Sequence, residues 1–299
     1  MKLVTYSPAA GGNPRPGLVV EGNRIVDIPA SVAPVDGVDF STMLGIIRGG
    51  AAARKALDAL AAKPPAGAVA MTEVKLHAPI PRPAKNVFCV GWNYLEHFEE
   101  GAKKLQDKRE LPQWPVFFSK APTAVTGPFD TVPFDPAIST SLDWEVELGV
   151  VIGPGGKNIQ AEDAMNHVWG YTVVNDVSWR DIQRRHGGQW HKGKSLDGTC
   201  PMGPVLVTAD SLDHANLRVS CRVNGVTKQD SSTKFLYFKL PRLLQDLSLG
   251  MTLEAGDILS TGTPEGVGFA RTPPEFLKPG DLLETEIEGI GTLRNPIGA

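Results

Sequence analysis

Glycine and proline recur from one end of this chain to the other, 32 and 25 of them in 299 residues, instead of gathering in one tail. Glycine opens the backbone conformations that tight turns need, and proline stops helices and central strands. Spread in this way they divide the chain into short segments joined by turns. The first segments read as a β-hairpin, with Gly17-Leu18-Val19-Val20 and Arg24-Ile25-Val26-Asp27-Ile28 flanking Glu21-Gly22-Asn23. Residues 40–62 read as helical, with apolar Leu44, Ile47, Leu57 and Leu60, a break at Gly49-Gly50 and an end at Lys63-Pro64-Pro65. Pro64, Pro65, Pro79, Pro81 and Pro83 then crowd one passage. This passage predicts a boundary between a small α+β unit over 1–78 and a larger unit over 79–299.

In the larger unit, short apolar runs predict strands at 86–90, 115–118, 143–152, 170–175, 201–207, 217–223, 257–260 and 282–287. Helices are predicted only near 94–105, 178–185 and 241–247. The fold class is therefore α+β and β-rich, not an alternating βαβ array. The charged stretch 103–113 reads as an exposed loop. The apolar share, 41%, is enough for a real core, and a net charge of −3 gives no global field for nucleic acid. Cys89, Cys200 and Cys221 are too few and too scattered for a disulfide framework. No apolar run approaches the length of a membrane helix, and no leader is apparent, so a cytoplasmic protein is expected.

The most informative stretch is Asp143-Trp144-Glu145-Val146-Glu147-Leu148. On a strand, Glu145 and Glu147 share one face while Trp144, Val146 and Leu148 share the other. On a solvated face the two acids mean nothing further. Facing a cavity, they repel unless a cation holds them. The apolar run 170–175 ends in Asp176, which reads either as a turn residue or as a third ligand. Ser178-Trp179-Arg180-Asp181 after it has the form of a helix cap. Three carboxylates would make an all-oxygen site, suited to a hard cation such as Mg²⁺, Mn²⁺ or Ca²⁺ and unsuited to structural zinc. His186 and His191 have only Cys200 near them, which argues against zinc there.

If 94–105 is helical, His97 and Glu100 are spaced to touch. A glutamate on one imidazole nitrogen leaves the other free for proton transfer, although a surface histidine in an acidic helix has the same spacing. Arg180, Arg184, Arg185, His186, Lys192 and Lys194 concentrate positive charge around a glycine-rich loop. That is either a solvated face or a means of recognising an acidic substrate. Thr261-Gly262-Thr263-Pro264-Glu265-Gly266 is either a plain turn or an anion-binding loop, and it lacks the ending of a Walker loop.

Together and in order, GWNYLEH at 91–97, FFSKAPTAV at 117–125, DWEVELGVVIG at 143–153, GYTVVNDVSWRDIQ at 170–183, KSLDGTCPMGP at 194–204 and GDILSTGTPEGVG at 256–268 resemble the fumarylacetoacetate hydrolase family. The resemblance covers the chain after about residue 80. It implies a mixed β-roll catalytic domain over 79–299 behind a small N-terminal domain, in a homodimer. It implies Mg²⁺ or Mn²⁺ on Glu145, Glu147 and Asp176, a His97–Glu100 pair that activates water, and Lys194, Arg180, Gln183 and Thr263 around a small oxo-acid. The expected reaction is hydrolysis of a C–C bond in an acylpyruvate. Decarboxylation of an oxaloacetate-like acid and isomerisation of a 2-oxo acid use the same scaffold, and a metal-stabilised binding protein is the non-enzymatic alternative. Trp92 departs from the Arg or Leu that relatives often carry before the Asn-Tyr pair.

Overall fold

The computed structural model describes residues 1–106 and 110–298. Among them the largest sheet has 12 strands. Its path runs from Val69–Ala70 through Arg24–Asp27, Arg15–Val20 and Lys2–Pro8 to Cys200–Thr208. It continues through Val168–Asn175, Val146–Ile152, Ile258–Ser260 and Val87–Gly91 to Val116–Lys120. Most neighbours are antiparallel, but Ile258–Ser260 lies parallel to Val87–Gly91, so the sheet is mixed. A second, five-stranded sheet contains Arg218–Val223, Val226–Ser232, Leu282–Ile287 and Gly291–Gly298. The fold is thus α+β and sheet-rich, as expected.

Strand Val146–Ile152 is buried along its whole length, which explains its near-continuous apolar sequence. Alternation sends Val146, Leu148 and Val150 into one core shared with Val219, Cys221, Leu283 and Leu293 of the second sheet. Val151 points the other way, into a second core with Met43, Ile46, Ile47 and Leu57. These four sit on helices Met43–Arg48 and Gly50–Ala62, which meet at the Gly49-Gly50 break expected from the sequence. Glu147 is on this second side too, and here the sheet leaves a cavity instead of core.

The predicted boundary at 78/79 falls between strands Val74–His77 and Val87–Gly91, and the large sheet runs across it. Lys2 and Leu3 pair with Val207 and Leu206. The expected hairpin forms from Arg15–Val20 and Arg24–Asp27, with Val20 opposite Arg24.

Two local expectations are corrected. Ser178 does not cap a helix: Ser178–Trp179 is a two-residue strand paired with Leu142–Asp143, and the Ser178 hydroxyl donates to the Asp176 carbonyl at 2.8 Å. The helix begins only at Arg180 and has no side-chain cap. The charged stretch 103–113 is not all loop either. Lys103–Leu105 complete helix Leu95–Leu105, where their cations complement the C-terminal dipole, and Gln106 closes it in a left-handed conformation. Residues 107–109 lie outside the described residues. Among the described residues, no helix is long and apolar enough to cross a membrane.

Candidate active site

Glu145 immediately precedes strand Val146–Ile152, and Asp176 immediately follows strand Val168–Asn175. These antiparallel neighbours pair Val146 with Asn175, so register alone brings the two acids side by side. The Asp176 amide donates to the Glu145 carbonyl at 2.9 Å and fixes the junction. Oxygens of Glu145, Glu147 and Asp176 lie within 4.8 Å of one another. All three side chains are buried, at 4%, 2% and 0% exposure, so the solvated-face reading fails.

Buried cations surround them. Lys194 Nζ lies 2.6 Å from Glu145 Oε2 and 2.7 Å from Asp176 Oδ2. Lys120 Nζ reaches Asp176 Oδ1 at 2.7 Å and the Val177 carbonyl at 3.0 Å. Arg180 pairs with Asp143 and Glu145, each at 2.7 Å. Burial pushes the Glu145 carboxyl up, but Lys194 and Arg180 outweigh it and hold the group well below the usual carboxylate range. Burial lowers the Lys194 pKa, while Asp176 and Glu145 more than reverse this, so the ammonium stays charged.

Among the described residues no cation makes an ion pair with Glu147, and Lys194 acts on it only at longer range. Its Oε2 accepts only from neutral donors, Ser260 Oγ at 2.6 Å and the Gly262 amide at 2.9 Å. Burial, then the charges of Asp176 and Glu145, push its carboxyl well above the ordinary value. Asp143, Glu145, Glu147 and Asp176 are four acids facing the three bases Lys120, Arg180 and Lys194. Counted with all four carboxyls ionised, the cluster is one positive charge short; the shortfall lies at Glu147, whose carboxyl is accordingly pushed towards its protonated form. An oxygen-only donor set with excess negative charge fits a hard divalent cation.

Glu145, Glu147, Arg180, Gln183, Lys194 and Thr263 line a cavity of about 580 Å³, and His97 faces the same space. His97 and Glu100 are one turn apart on helix Leu95–Leu105, with His97 Nδ1 2.8 Å from Glu100 Oε1. The other Glu100 oxygen accepts from the Gly266 amide at 2.9 Å, so the glutamate is anchored at both oxygens. This fixes the imidazole, and among the described residues its second nitrogen has no hydrogen-bond partner. Thr263 Oγ1 accepts from Gln229 Nε2 at 2.8 Å, and Gln183 Oε1 accepts from Arg180 at 3.3 Å. All nine residues singled out in the sequence thus gather at one site, with Asp176 behind the cavity surface.

The departing residue, Trp92, forms an aromatic wall. It has φ 55°, a region bulky residues rarely enter, and its ring meets Trp190 edge-on at 4.9 Å and Phe98 at 6.1 Å. The Trp190 ring fits because residue 91 is glycine: a Cβ there would come within 2.3 Å of it.

Two supporting residues escaped the sequence reading. Lys120 closes a strand of otherwise apolar or hydroxyl residues and is fully buried, so only its position in VFFSK hinted at a partner. Asp143 accepts from Gly268 N at 2.7 Å and Phe269 N at 3.0 Å while holding Arg180, tying the strand to the loop that walls the cavity. Its spacing of two from Glu145 was the available signal.

The sequence model of the family described as fumarylacetoacetate (FAA) hydrolase C-terminal matches residues 86–298. The chain belongs to the fumarylacetoacetate hydrolase family. It is accordingly an enzyme of that family. Oxaloacetate tautomerase YisK of Bacillus subtilis (strain 168) is 50% identical over 229 residues, covering 76% of this chain and 74% of its own. The mitochondrial oxaloacetate tautomerase Fahd2a of Rattus norvegicus is 47% identical over 300 residues, covering 99% and 91%. Among solved structures, the fumarylacetoacetate hydrolase of Exiguobacterium antarcticum superposes with a TM-score of 0.83 at 39% identity, covering 100% of this chain and 99% of its own. Maleylpyruvate hydrolase of Sphingobium sp. SYK-6, in complex with manganese (II) ion and pyruvate, gives 0.78 at 28% identity, covering 100% and 99%.

Proposed function

We propose that this enzyme is a divalent-metal-dependent tautomerase of a small 2-oxo diacid of the oxaloacetate type, moving a proton between C3 and the 2-oxo oxygen. The observation that carries this reading is a buried, cation-deficient carboxylate triad on the same cavity as an anchored histidine–glutamate pair. The two tautomerases named above, one alignable over nearly the whole chain, support isomerisation over hydrolysis.

Glu145, Glu147 and Asp176 would hold Mg²⁺ or Mn²⁺, which when bound supplies Lewis-acid stabilisation of charge on a substrate oxygen. The protein's own groups then do the following. Glu100 holds His97 Nδ1, so Nε2 is presented to the substrate. In the keto-to-enol direction Nε2 takes the C3 proton and the imidazolium returns it to the 2-oxo oxygen. A C–H bond breaks, an O–H bond forms, and the enzyme recovers its starting state. Lys194, kept cationic by Glu145 and Asp176, adds positive potential beside the oxygen where charge develops. Phe98, Trp92 and Trp190 give part of the cavity wall an apolar surface.

Cleavage of an acylpyruvate, the reaction expected from the sequence, is the second reading. It is favoured by the likeness to maleylpyruvate hydrolase and would use the same His97 to activate water. A single experiment separates the two. Enolic oxaloacetate is mixed with enzyme and Mg²⁺, and the enol absorbance and pyruvate are followed together. The expected result is accelerated loss of the enol without pyruvate, slowed about 100-fold in His97→Asn. Pyruvate released in step with enol loss, or cleavage of acylpyruvates at a comparable rate, would replace this reading with a lyase or hydrolase one. The homodimer and the two-unit division at 78/79 belong to the same proposal, to be checked by sedimentation and limited proteolysis.

A further inference from the structure

Arg180 and Arg184 lie one turn apart on helix Arg180–Arg185, and both line the cavity. Their guanidinium carbons lie over the same Phe269 ring, at 4.7 and 4.9 Å from its centroid. Their electrostatic situations differ. Arg180 is buried and its charge is taken up by Asp143 and Glu145. Arg184 makes no ion pair with a carboxylate among the described residues; the Phe269 ring face supports it, with a weaker pull from Asp143. Burial, with Arg180 nearby, makes its charge harder to hold than usual. Arg184 is solvent-exposed at the open side of the reaction cavity, where a second guanidinium beside the first and without an ion-pair partner is placed to receive an anion from outside.

We propose that Arg184 binds the distal carboxylate of the substrate and sets a preference for 2-oxo diacids over 2-oxo monoacids. This rests on the tautomerase reading and names the part of the substrate that reading leaves open. The substrate's 2-oxo acid end faces the triad, and its far carboxylate reaches outward along the arginine face of the helix. Contact with the Phe269 ring restrains the Arg184 guanidinium, so its fork is presented without a large loss of side-chain freedom. Asp181 and Arg185 form their own pair at 3.2 Å on the outer side of the helix and do not compete.

The test compares oxaloacetate with 2-oxobutyrate, a monoacid of the same carbon count, by titration calorimetry on Mg²⁺-loaded enzyme. The wild type is expected to bind the diacid more tightly. Arg184→Gln should weaken the diacid about tenfold, a figure discounted for a partly exposed site, and leave the monoacid unchanged. Arg184→Lys should recover part of the loss. Equal weakening of both ligands, or no weakening of the diacid, would overturn the assignment. Both ligands are brought to keto–enol equilibrium before injection, so tautomerisation adds no net conversion and the heats read binding. Failure of the tautomerase assay therefore leaves the affinity difference standing, whereas loss of the affinity difference with tautomerase activity intact removes only the role of Arg184.

Discussion

Replacing Glu147 by Gln should shift stability in opposite directions with and without metal. The side chain keeps its shape, and its oxygen can still accept from Ser260 Oγ and Gly262 N. What disappears is the capacity to ionise at a buried position whose nearest charged neighbours include two more acids. Its folded pKa is raised above the ordinary 4.5, so between those two values the folded state holds a proton that the unfolded state has lost. In metal-free enzyme this makes stability fall as pH rises above 4.5, and Glu147→Gln removes that contribution. Metal-free Glu147→Gln should therefore melt higher than wild type, with the gap widening from pH 5 towards pH 8 (about 3 units of scan). Metal reverses the order. At 100 times its dissociation constant a cation that binds only the folded state stabilises by about 2.7 kcal/mol, about 5 °C for a chain of this size. Wild type should gain that increment with Mg²⁺, and the variant should gain little. Differential scanning fluorimetry at several pH values, with EDTA or Mg²⁺, reads both effects. A full Mg²⁺ increment in the variant, or a metal-free gap that does not change with pH, would refute the charge-deficit argument.

Lys120→Met should destabilise the metal-free enzyme by about 3 kcal/mol in urea titrations, because it strips a direct ammonium partner from buried Asp176. Gly262→Ala should cost on the order of 2 kcal/mol and weaken Mg²⁺ binding. Gly262 has φ +99°, and an added Cβ would come within 2.7 Å of the Asn93 Cβ, displacing the amide that holds Glu147. His214 stacks on Tyr171 and lies 3.0 Å from its hydroxyl, and burial lowers its pKa below the ordinary 6.5. As pH falls through 6.5 the unfolded chain takes up that proton first, so stability declines, and His214→Gln should flatten this acid limb in melts from pH 7 to pH 5.5.

The acids were legible because strand alternation has a period of two: Glu145 and Glu147 had to share a face, and only the identity of that face was open. The His97–Glu100 spacing was legible for the corresponding helical reason. Lys120 and Asp143 were not, because their importance comes from residues distant in sequence. Lys120 meets Asp176 across 56 positions, and Asp143 meets the Gly268 amide across 125. Ser178 was misread because a local cap pattern cannot reveal that Leu142–Asp143 will claim the same backbone as a strand partner. The long sheet crossing the proline-rich passage was hidden for a similar reason. Lys2 and Val207 are neighbours only once the chain has closed on itself.

Strand Val146–Ile152 couples assembly to chemistry. Its even positions feed one apolar core, while on the other side Glu147 faces the cavity and Val151 enters the second core. A slip of one residue against Val168–Asn175 would thrust carboxylates into hydrocarbon and valines into the reaction chamber. On the metal reading proposed above, no half-right pairing can assemble the three carboxylates, and uptake of a divalent cation by refolding enzyme would report that this strand has found its proper alignment.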